Sequence, residues 1–139
     1  MTEKKKKKNL GKINRRKGHN AERHYANWFK QLGYKLCQTS RYGSRLYDDC
    51  GIDLINIPFL VQVKAGKQKN LNIISELKNI KEKVAENFPK ESREQELPRM
   101  LIHRKDVGRG RKRTSYDDII TMTAEDFKIL IKLINNNDS

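Results

Sequence analysis

Residues 51–64 read Gly-Ile-Asp-Leu-Ile-Asn-Ile-Pro-Phe-Leu-Val-Gln-Val-Lys, two short β-branched runs separated by a proline-containing turn. This pattern predicts a β-hairpin whose turn lies within residues 56–59. Such a hairpin places Asp53 directly opposite Gln62. Because side chains alternate along a strand, Lys64 then lies on the same face as Gln62.

The opposite face of the predicted hairpin is wholly apolar and consists of Ile52, Leu54, Val61 and Val63. The polar face gathers a carboxylate, an amide oxygen and an ammonium group within about 5 to 8 Å on strands that otherwise look buried. Burying an unpaired charge costs several kcal/mol, so such a cluster needs a partner or a function. One alternative is a purely structural ion pair between the aspartate and the lysine at the rim of the sheet.

A helix is predicted over residues 18–32, upstream of the hairpin. Glu22 lies at the border of its apolar stripe, so its side chain could run along the surface that packs on the sheet and reach the hairpin. Two carboxylates and a glutamine oxygen suit Mg²⁺ or Mn²⁺, and an adjacent lysine can orient or deprotonate a water molecule. Glu22 could equally be a surface residue of the helix. The stripe itself consists of Ala21, Tyr25, Trp28, Phe29 and Leu32, and Gly33 follows as the stop signal.

The remaining segments predict a mixed β-sheet flanked by helices, an α/β fold. The buried face of the last helix is expected to consist of Phe127, Leu130, Ile131 and Ile134. In chain order we predict a strand over 34–39, a polar turn over 40–45, a helix over 72–87, a strand over 100–103, a basic loop over 104–113, a strand over 118–122 and a helix opened by Thr123.

The positive charge is concentrated in two segments. The chain of 139 residues carries a net charge of +14 from 31 Lys+Arg and 17 Asp+Glu, and its length is typical of one domain. Residues 1–17 hold nine bases and one acid, residues 103–113 hold six bases and one acid, and the other 16 bases and 15 acids nearly cancel. A near-neutral body with two basic segments is typical of a polyanion binder. The run Lys4–Lys8 alone could be a solubilising tail.

Composition also excludes several classes of protein. No apolar stretch approaches the roughly 18 residues that span a bilayer, and no apolar segment follows the N-terminal lysines as a secretion signal. We therefore expect a soluble, cytoplasmic protein with no membrane partner. Cys37 and Cys50 are too few for a disulfide scaffold and share no zinc-ligand spacing with the histidines, so we expect free thiols.

Four motifs in order resemble a known family. Arg16-Lys17-Gly18-x-x-x-Glu22-Arg23, Arg41-x-Gly43-Ser44, Asp53 and Gln62-x-Lys64 resemble the archaeal-type Holliday-junction resolvases of the PD-(D/E)XK nuclease superfamily, also found in phages and viruses. The resemblance covers residues 16–66. It implies a restriction-endonuclease-like αβββαβ core over residues 16–136. Residues 1–15 contain little that could be buried, so we expect a flexible basic tail there. The resemblance also implies a homodimer that cuts branched double-stranded DNA in recombination and repair, in a host cytoplasm if the chain is phage-encoded.

The resemblance assigns a role to each matching position. Glu22, Asp53 and Gln62 match metal ligands for Mg²⁺ or Mn²⁺, and the carbonyl of Val63 is a further ligand. Lys64 matches the lysine that positions the attacking water. Ser44 and Arg41 match the loop that contacts the scissile phosphate. This sequence departs from the signature in two places, Ile52 for proline and Gln62 for glutamate, and the second change removes a negative charge that Asp48 and Asp49 could partly replace.

Two alternatives to junction resolution stay open. The same fold could cut linear, nicked or flapped DNA as a restriction or repair nuclease, or the chain could bind branched nucleic acid without cutting it. Neither basic segment carries aromatic residues that stack on exposed bases, which argues against single-strand binding. We expect contacts to the DNA phosphates from Arg15, Arg16, Lys17, Arg41, Arg45, Lys67, Arg109, Arg111, Lys112 and Arg113.

Overall fold

The structure is a computed structural model that describes residues 3–68 and 70–137 and, within these ranges, not the side chains of residues 3–9 or 137. Two 3₁₀ turns, Arg93–Glu96 and Ser115–Asp117, accompany the regular elements. The helices are α1 (Glu3–Gln31), α2 (Ser40–Gly43), α3 (Arg45–Asp49), α4 (Ile73–Asn87) and α5 (Ala124–Asn137). The strands are β1 (Gln38–Thr39), β2 (Leu54–Ile55), β3 (Leu60–Ala65), β4 (Arg99–Arg104) and β5 (Asp118–Thr121).

The strands form two small sheets. In the larger one β3 pairs in parallel with β4, and β4 pairs antiparallel with β5, with Ile102 opposite Ile120. In the smaller one β1 and β2 are antiparallel, with Thr39 opposite Leu54. The predicted α/β class with a mixed sheet and flanking helices is therefore confirmed.

Two hydrophobic clusters hold the helices to the sheet. On one side α1 packs against β2, β3 and β4 through Ala21, Tyr25, Ala26 and Phe29, with Leu54, Val61, Val63, Met100 and Ile102. On the other side α4 packs through Ile80 and Val84, with Cys50, Ile52, Leu60, Phe88 and Leu97. Strand β3 supplies Val61 and Val63 to the first cluster and Leu60 to the second, so Gln62 and Lys64 lie on the same face as Leu60. Among the described residues, no helix has both the length and the apolar character that a bilayer crossing requires.

Helix α1 begins at Glu3, not near residue 18 as predicted. Residues 4–17 are mostly lysine, arginine and leucine, which have high helix propensity even without a buried face. The predicted flexible tail over 1–15 is thus helical from Glu3, while Met1 and Thr2 lie outside the described residues. The end of α1 at Gln31 agrees with the prediction, and Gly33 has a φ of 113°.

Between α1 and β2 the chain is more helical than predicted. The expected strand over 34–39 is reduced to the two residues of β1, and the expected polar turn over 40–45 contains α2 and the start of α3. In contrast, α4, β4 and β5 lie within one residue of the bounds that the sequence pattern predicts. Asn72 caps α4 by accepting a hydrogen bond from the Ser75 amide at 3.0 Å.

The predicted pairing of the two hairpin strands, β2 and β3, is wrong. Strand β2 pairs with β1 and strand β3 pairs with β4, so β2 and β3 are not a regular strand pair. Asp53, which immediately precedes β2, is hydrogen-bonded to Val61 and Val63 of β3, and Leu54 packs beside these two valines. Because the backbone is not a regular strand at Asp53, Ile52 and Leu54 point to opposite sides. Ile52 therefore lies in the cluster under α4, not beside the two valines as predicted.

The predicted buried face of α5 is also wrong. Phe127, Ile131 and Ile134 are 54%, 40% and 48% exposed. Fully buried instead is Asp126, whose carboxylate accepts bonds from the Arg99 amide and guanidinium at 3.1 and 3.0 Å. With Asp126 paired in the interior, the face of α5 that carries Phe127, Ile131 and Ile134 is left towards solvent. Leu130 is only partly buried.

Candidate functional site

Asp53 is fixed by backbone groups on both sides. Its amide donates to the Val61 carbonyl at 2.8 Å, and its carboxylate accepts from the Val63 amide at 2.7 Å. Its carbonyl accepts from the Ser40 amide, also at 2.8 Å, which ties α2 to the same point. In a regular hairpin, a backbone carbonyl of the neighbouring strand would accept the bond from the Val63 amide. Here the Asp53 carboxylate accepts it instead.

Burial raises the pKa of Asp53 to about 7, from an ordinary value of 3.8. The negative charges of Glu22 and Asp48 raise it further. The hydrogen bond from Val63 and the ammonium group of Lys64 oppose this rise. The charged groups that act on Asp53 thus include Glu22 and Lys64, two residues predicted to share its site.

Glu22 is buried, with 8% of its surface exposed, so the alternative that it is a surface residue of the helix is wrong. It reaches the site from α1 because Ala21 and Tyr25 beside it are core residues. Nη2 of Arg41 lies 3.3 and 3.4 Å from its two carboxylate oxygens. Arg41, which was predicted to contact a DNA phosphate, thus pairs with Glu22, which was predicted to bind the metal.

Gln62 has an unpartnered buried oxygen. The residue is 8% exposed, and its Oε1 has no hydrogen-bond partner within the described part of the chain. Its Nε2 packs beside Gly51, where an added Cβ would lie 3.4 Å away. Leaving a buried polar atom unsatisfied costs about 1–3 kcal/mol, and native structures contain few such atoms. A carbonyl oxygen in this state is suited to bind a cation or an ordered water.

Lys64 pairs with a residue that the sequence analysis missed. Its Nζ lies 3.7 Å from Oε1 of Glu76, in the first turn of α4. No ion pair joins Lys64 to Asp53 in the residues described, so the structural pair considered above is not formed. The only sequence signal for Glu76 was its place in the first helical turn after the loop that follows β3.

The backbone of Val63 faces the site. Its amide donates to Asp53, and in a strand the N–H and C=O groups of one residue point to the same edge. The Val63 carbonyl therefore points to the edge of β3 where Asp53 lies.

Ser44 and its neighbours have local partners. The Ser44 hydroxyl accepts from the Tyr47 amide at 3.3 Å and caps α3. Arg45 pairs with Asp49 at 3.9 Å on the surface. Asp48 is exposed but acts on Asp53 through its charge. Of the two aspartates named as possible replacements for the missing glutamate, only Asp48 acts on the Asp53 carboxylate.

A groove of about 550 Å³ opens beside Lys64, between α1 and the end of β3. Lys17 on one wall pairs with Asp106 on the other, with 3.1 Å between Nζ and Oδ2. Lys67 also lines it and is exposed. Arg15 and Arg16, on the same helix as Lys17, are exposed as well. The groove is therefore lined both by cationic side chains and by Val63 and Lys64 of the candidate site.

The basic loop is partly neutralised by acids that the sequence analysis did not pair with it. Arg111 binds Asp117 at 2.7 Å and holds the pKa of that carboxyl well below its usual range. Arg113 binds Asp118 at 3.4 Å. By contrast, Arg109 and Lys112 are exposed, and neither has an ion-pair partner within residues 3–68 and 70–137.

The donors at the site are oxygens rather than sulfur or imidazole. Over the described ranges, no three His, Cys, Asp or Glu side chains come together as a metal-binding group. The predicted ligand set has only two carboxylates, so it does not depend on such a group. Cys37 and Cys50 are buried free thiols, as expected, and burial raises the pKa of Cys37 to about 11.

Comparisons of the chain with protein-family models, with curated proteins and with solved structures find no match. A proposal for its function therefore depends on the residues of this site and on the resemblance of its motifs.

Proposed function

We propose that the chain is a divalent-metal-dependent DNA endonuclease that resolves four-way junctions. The observation that carries this proposal is the unpartnered buried oxygen of Gln62 on the strand to which Asp53 is bonded, together with the charge interaction between half-buried Asp53 and buried Glu22. Burying these groups costs free energy, which the ion pair between Arg41 and Glu22 offsets in part. Oxygen donors of this kind suit Mg²⁺ or Mn²⁺.

The donor set fits such an ion, with Asp53, Glu22, Gln62 and the Val63 carbonyl as its protein ligands. When bound, the ion supplies Lewis acidity to a coordinated water and to the phosphate. Lys64 orients the attacking water and stabilises negative charge on the phosphate through its ammonium group. Hydrolysis in this arrangement leaves a 5′-phosphate and a 3′-hydroxyl.

The basic surfaces supply the substrate contacts. Each phosphate neutralised by lysine or arginine releases condensed counterions, so a chain of net charge +14 binds DNA with strong salt dependence. The groove beside Lys64 directs one strand to the site, while Arg109 and Lys112 bind the backbone near the branch. A four-way junction is two-fold symmetric and needs two cuts, so we propose that a homodimer acts on it.

A synthetic four-way junction and its separate linear arms provide the test, with Mg²⁺ and purified protein. We expect paired incisions in the junction and little cleavage of the arms. Asp53→Asn should lower the rate at least ~100-fold because it removes a charged ligand. Glu82→Gln, which changes an exposed acid on α4, is the matched control and should not alter the rate.

Other outcomes identify the rival functions. Equal cleavage of junction and arms would indicate a restriction or repair nuclease. Salt-sensitive binding without any incision would indicate a non-catalytic binding protein, which the replacement of glutamate by Gln62 favours. Full activity in Asp53→Asn would contradict the proposed site itself.

A further inference from the structure

Arg41 forms an ion pair with Glu22, one of the predicted metal ligands. Its guanidinium Nη2 is 3.3 Å from one carboxylate oxygen and 3.4 Å from the other. The Glu22 side chain is only 10% exposed, whereas that of Arg41 is 37% exposed. The pair joins α1 to α2, and the Ser40 amide beside Arg41 is bound by the Asp53 carbonyl.

A divalent ion and this guanidinium compete for the same two oxygens. Both are cations, and at ligand distances their repulsion in a mostly buried site is strong. Binding of the ion through Glu22 therefore requires Arg41 to leave. Arg41 can leave because its long side chain is partly in solvent, whereas Glu22 is held within the packed face of α1.

We infer that Arg41 is a built-in counter-ion of Glu22, which a divalent ion displaces and which then binds a DNA phosphate. The inference rests on the proposed function. Arginine is suited to the exchange because its guanidinium binds carboxylate and phosphate with the same geometry. The backbone bond from Ser40 to Asp53 keeps the released side chain next to the site. Arg41 is in this sense a positioning residue that couples the metal to the substrate.

This coupling has a thermodynamic consequence. If DNA draws Arg41 away from Glu22, DNA raises the affinity for the ion, and the ion raises the affinity for DNA by the same factor. Removal of the guanidinium removes both the competition and the coupling. The free protein then binds the ion more tightly, while DNA no longer increases that affinity.

Calorimetric titration of the full chain with Mn²⁺, without DNA, tests the competition. We expect Arg41→Ala to bind Mn²⁺ about tenfold more tightly than the unmodified protein, and Arg41→Lys, which keeps the charge, to stay close to it. Arg93→Ala is the matched control because Arg93 also pairs with a partly buried glutamate, Glu94 at 3.9 Å, outside the site. It should not change the affinity. Circular dichroism checks that each variant is folded.

A second titration with a bound junction tests the coupling. DNA should tighten Mn²⁺ binding in the unmodified protein and have much less effect in Arg41→Ala. Equal or weaker Mn²⁺ binding by folded Arg41→Ala would overturn the inference while leaving the metal site intact. No Mn²⁺ binding by any of the proteins would overturn the metal site, and the inference with it. Binding by Arg41→Ala alone would support the inference.

Discussion

Ionisation of the Asp53 carboxyl group lowers the stability of the fold, whereas the proposed metal site requires the ionised form. Its pKa of about 7 means that the folded protein holds a proton there which the unfolded chain, with a value of 3.8, has already released at intermediate pH. The proton stabilises the fold below pH 4. This stabilisation is lost as the pH rises from about 4 to about 7.

We therefore expect Asp53→Asn to make the metal-free protein more stable than the unmodified protein at pH 8, by as much as roughly 4 kcal/mol. At pH 4 the two should be nearly equal, because the asparagine mimics the protonated acid. Urea denaturation at the two pH values measures the difference. A variant destabilised to the same extent at both pH values would show that Asp53 is held ionised. The same substitution abolishes cleavage under the proposed function, so stability and activity change in opposite directions.

At the scale of elements, the bonds between Asp53 and β3 agree better with the predicted hairpin than the strand pairing of the sheet does. The predicted hairpin places Asp53 opposite Gln62, and in the structure the Asp53 carboxylate accepts a bond from the neighbouring Val63 amide on β3. The ladder itself was wrong because the true partner of β3 is β4, far along the chain, and a local turn signal favours a local partner. Glu76, and the pairing of Arg41 with Glu22, depend on tertiary packing that no spacing in the sequence shows.

Helix α5 is positioned by a polar anchor, not by its apolar row. Asp126 is fully buried and accepts from Thr123 as well as from Arg99, whose own side chain is 13% exposed. A hydrophobic pattern of period 3.6 predicts the apolar row as the buried one. Asp126 accepts three hydrogen bonds, and breaking its pair with Arg99 would leave an uncompensated buried charge. The free energy of this pair therefore exceeds that of burying the apolar side chains.

Asp126→Ala should accordingly destabilise the fold by about 3–5 kcal/mol, since it leaves the guanidinium of Arg99 buried without a partner. Glu125→Ala alters the neighbouring exposed acid and should change stability by less than about 0.5 kcal/mol. Urea unfolding followed by circular dichroism compares the two. A loss below about 1 kcal/mol for Asp126→Ala would mean that the apolar contacts of α5 position it after all.

For the molecule as a whole, the structure divides the basic residues into paired and unpaired groups. Arg109→Ala and Lys112→Ala together should lower the slope of log affinity against log salt for junction DNA by about 2, one for each phosphate contact. Arg111→Ala should change the slope much less, because its guanidinium is already bound by Asp117. Fluorescence anisotropy at several salt concentrations measures the slopes. Equal slopes for all variants would place the phosphate contacts elsewhere.

The molecule also exposes apolar side chains on β5 and on α5. Strand β5 pairs only with β4 among the described strands, and its Ile119 and Ile120 are 40% and 44% exposed. An open strand edge with apolar side chains, next in the chain to the exposed apolar row of α5, usually marks an interface. We propose a second copy of the chain as its partner, because two antiparallel edges pair about a two-fold axis and the proposed substrate has the same symmetry.

We therefore expect Phe127→Asp combined with Ile131→Asp to convert a dimer into a folded monomer. The two positions lie one turn apart on α5, so the variant places two negative charges in the interface of each copy. Light scattering coupled to size exclusion measures the mass, with Lys128→Asp on the same helix as the control for added negative charge. A monomeric unmodified protein would contradict the homodimer. A double variant that stays dimeric would move the interface to another surface, whereas a monomeric variant that nicks a junction without completing paired incisions would link the interface to function.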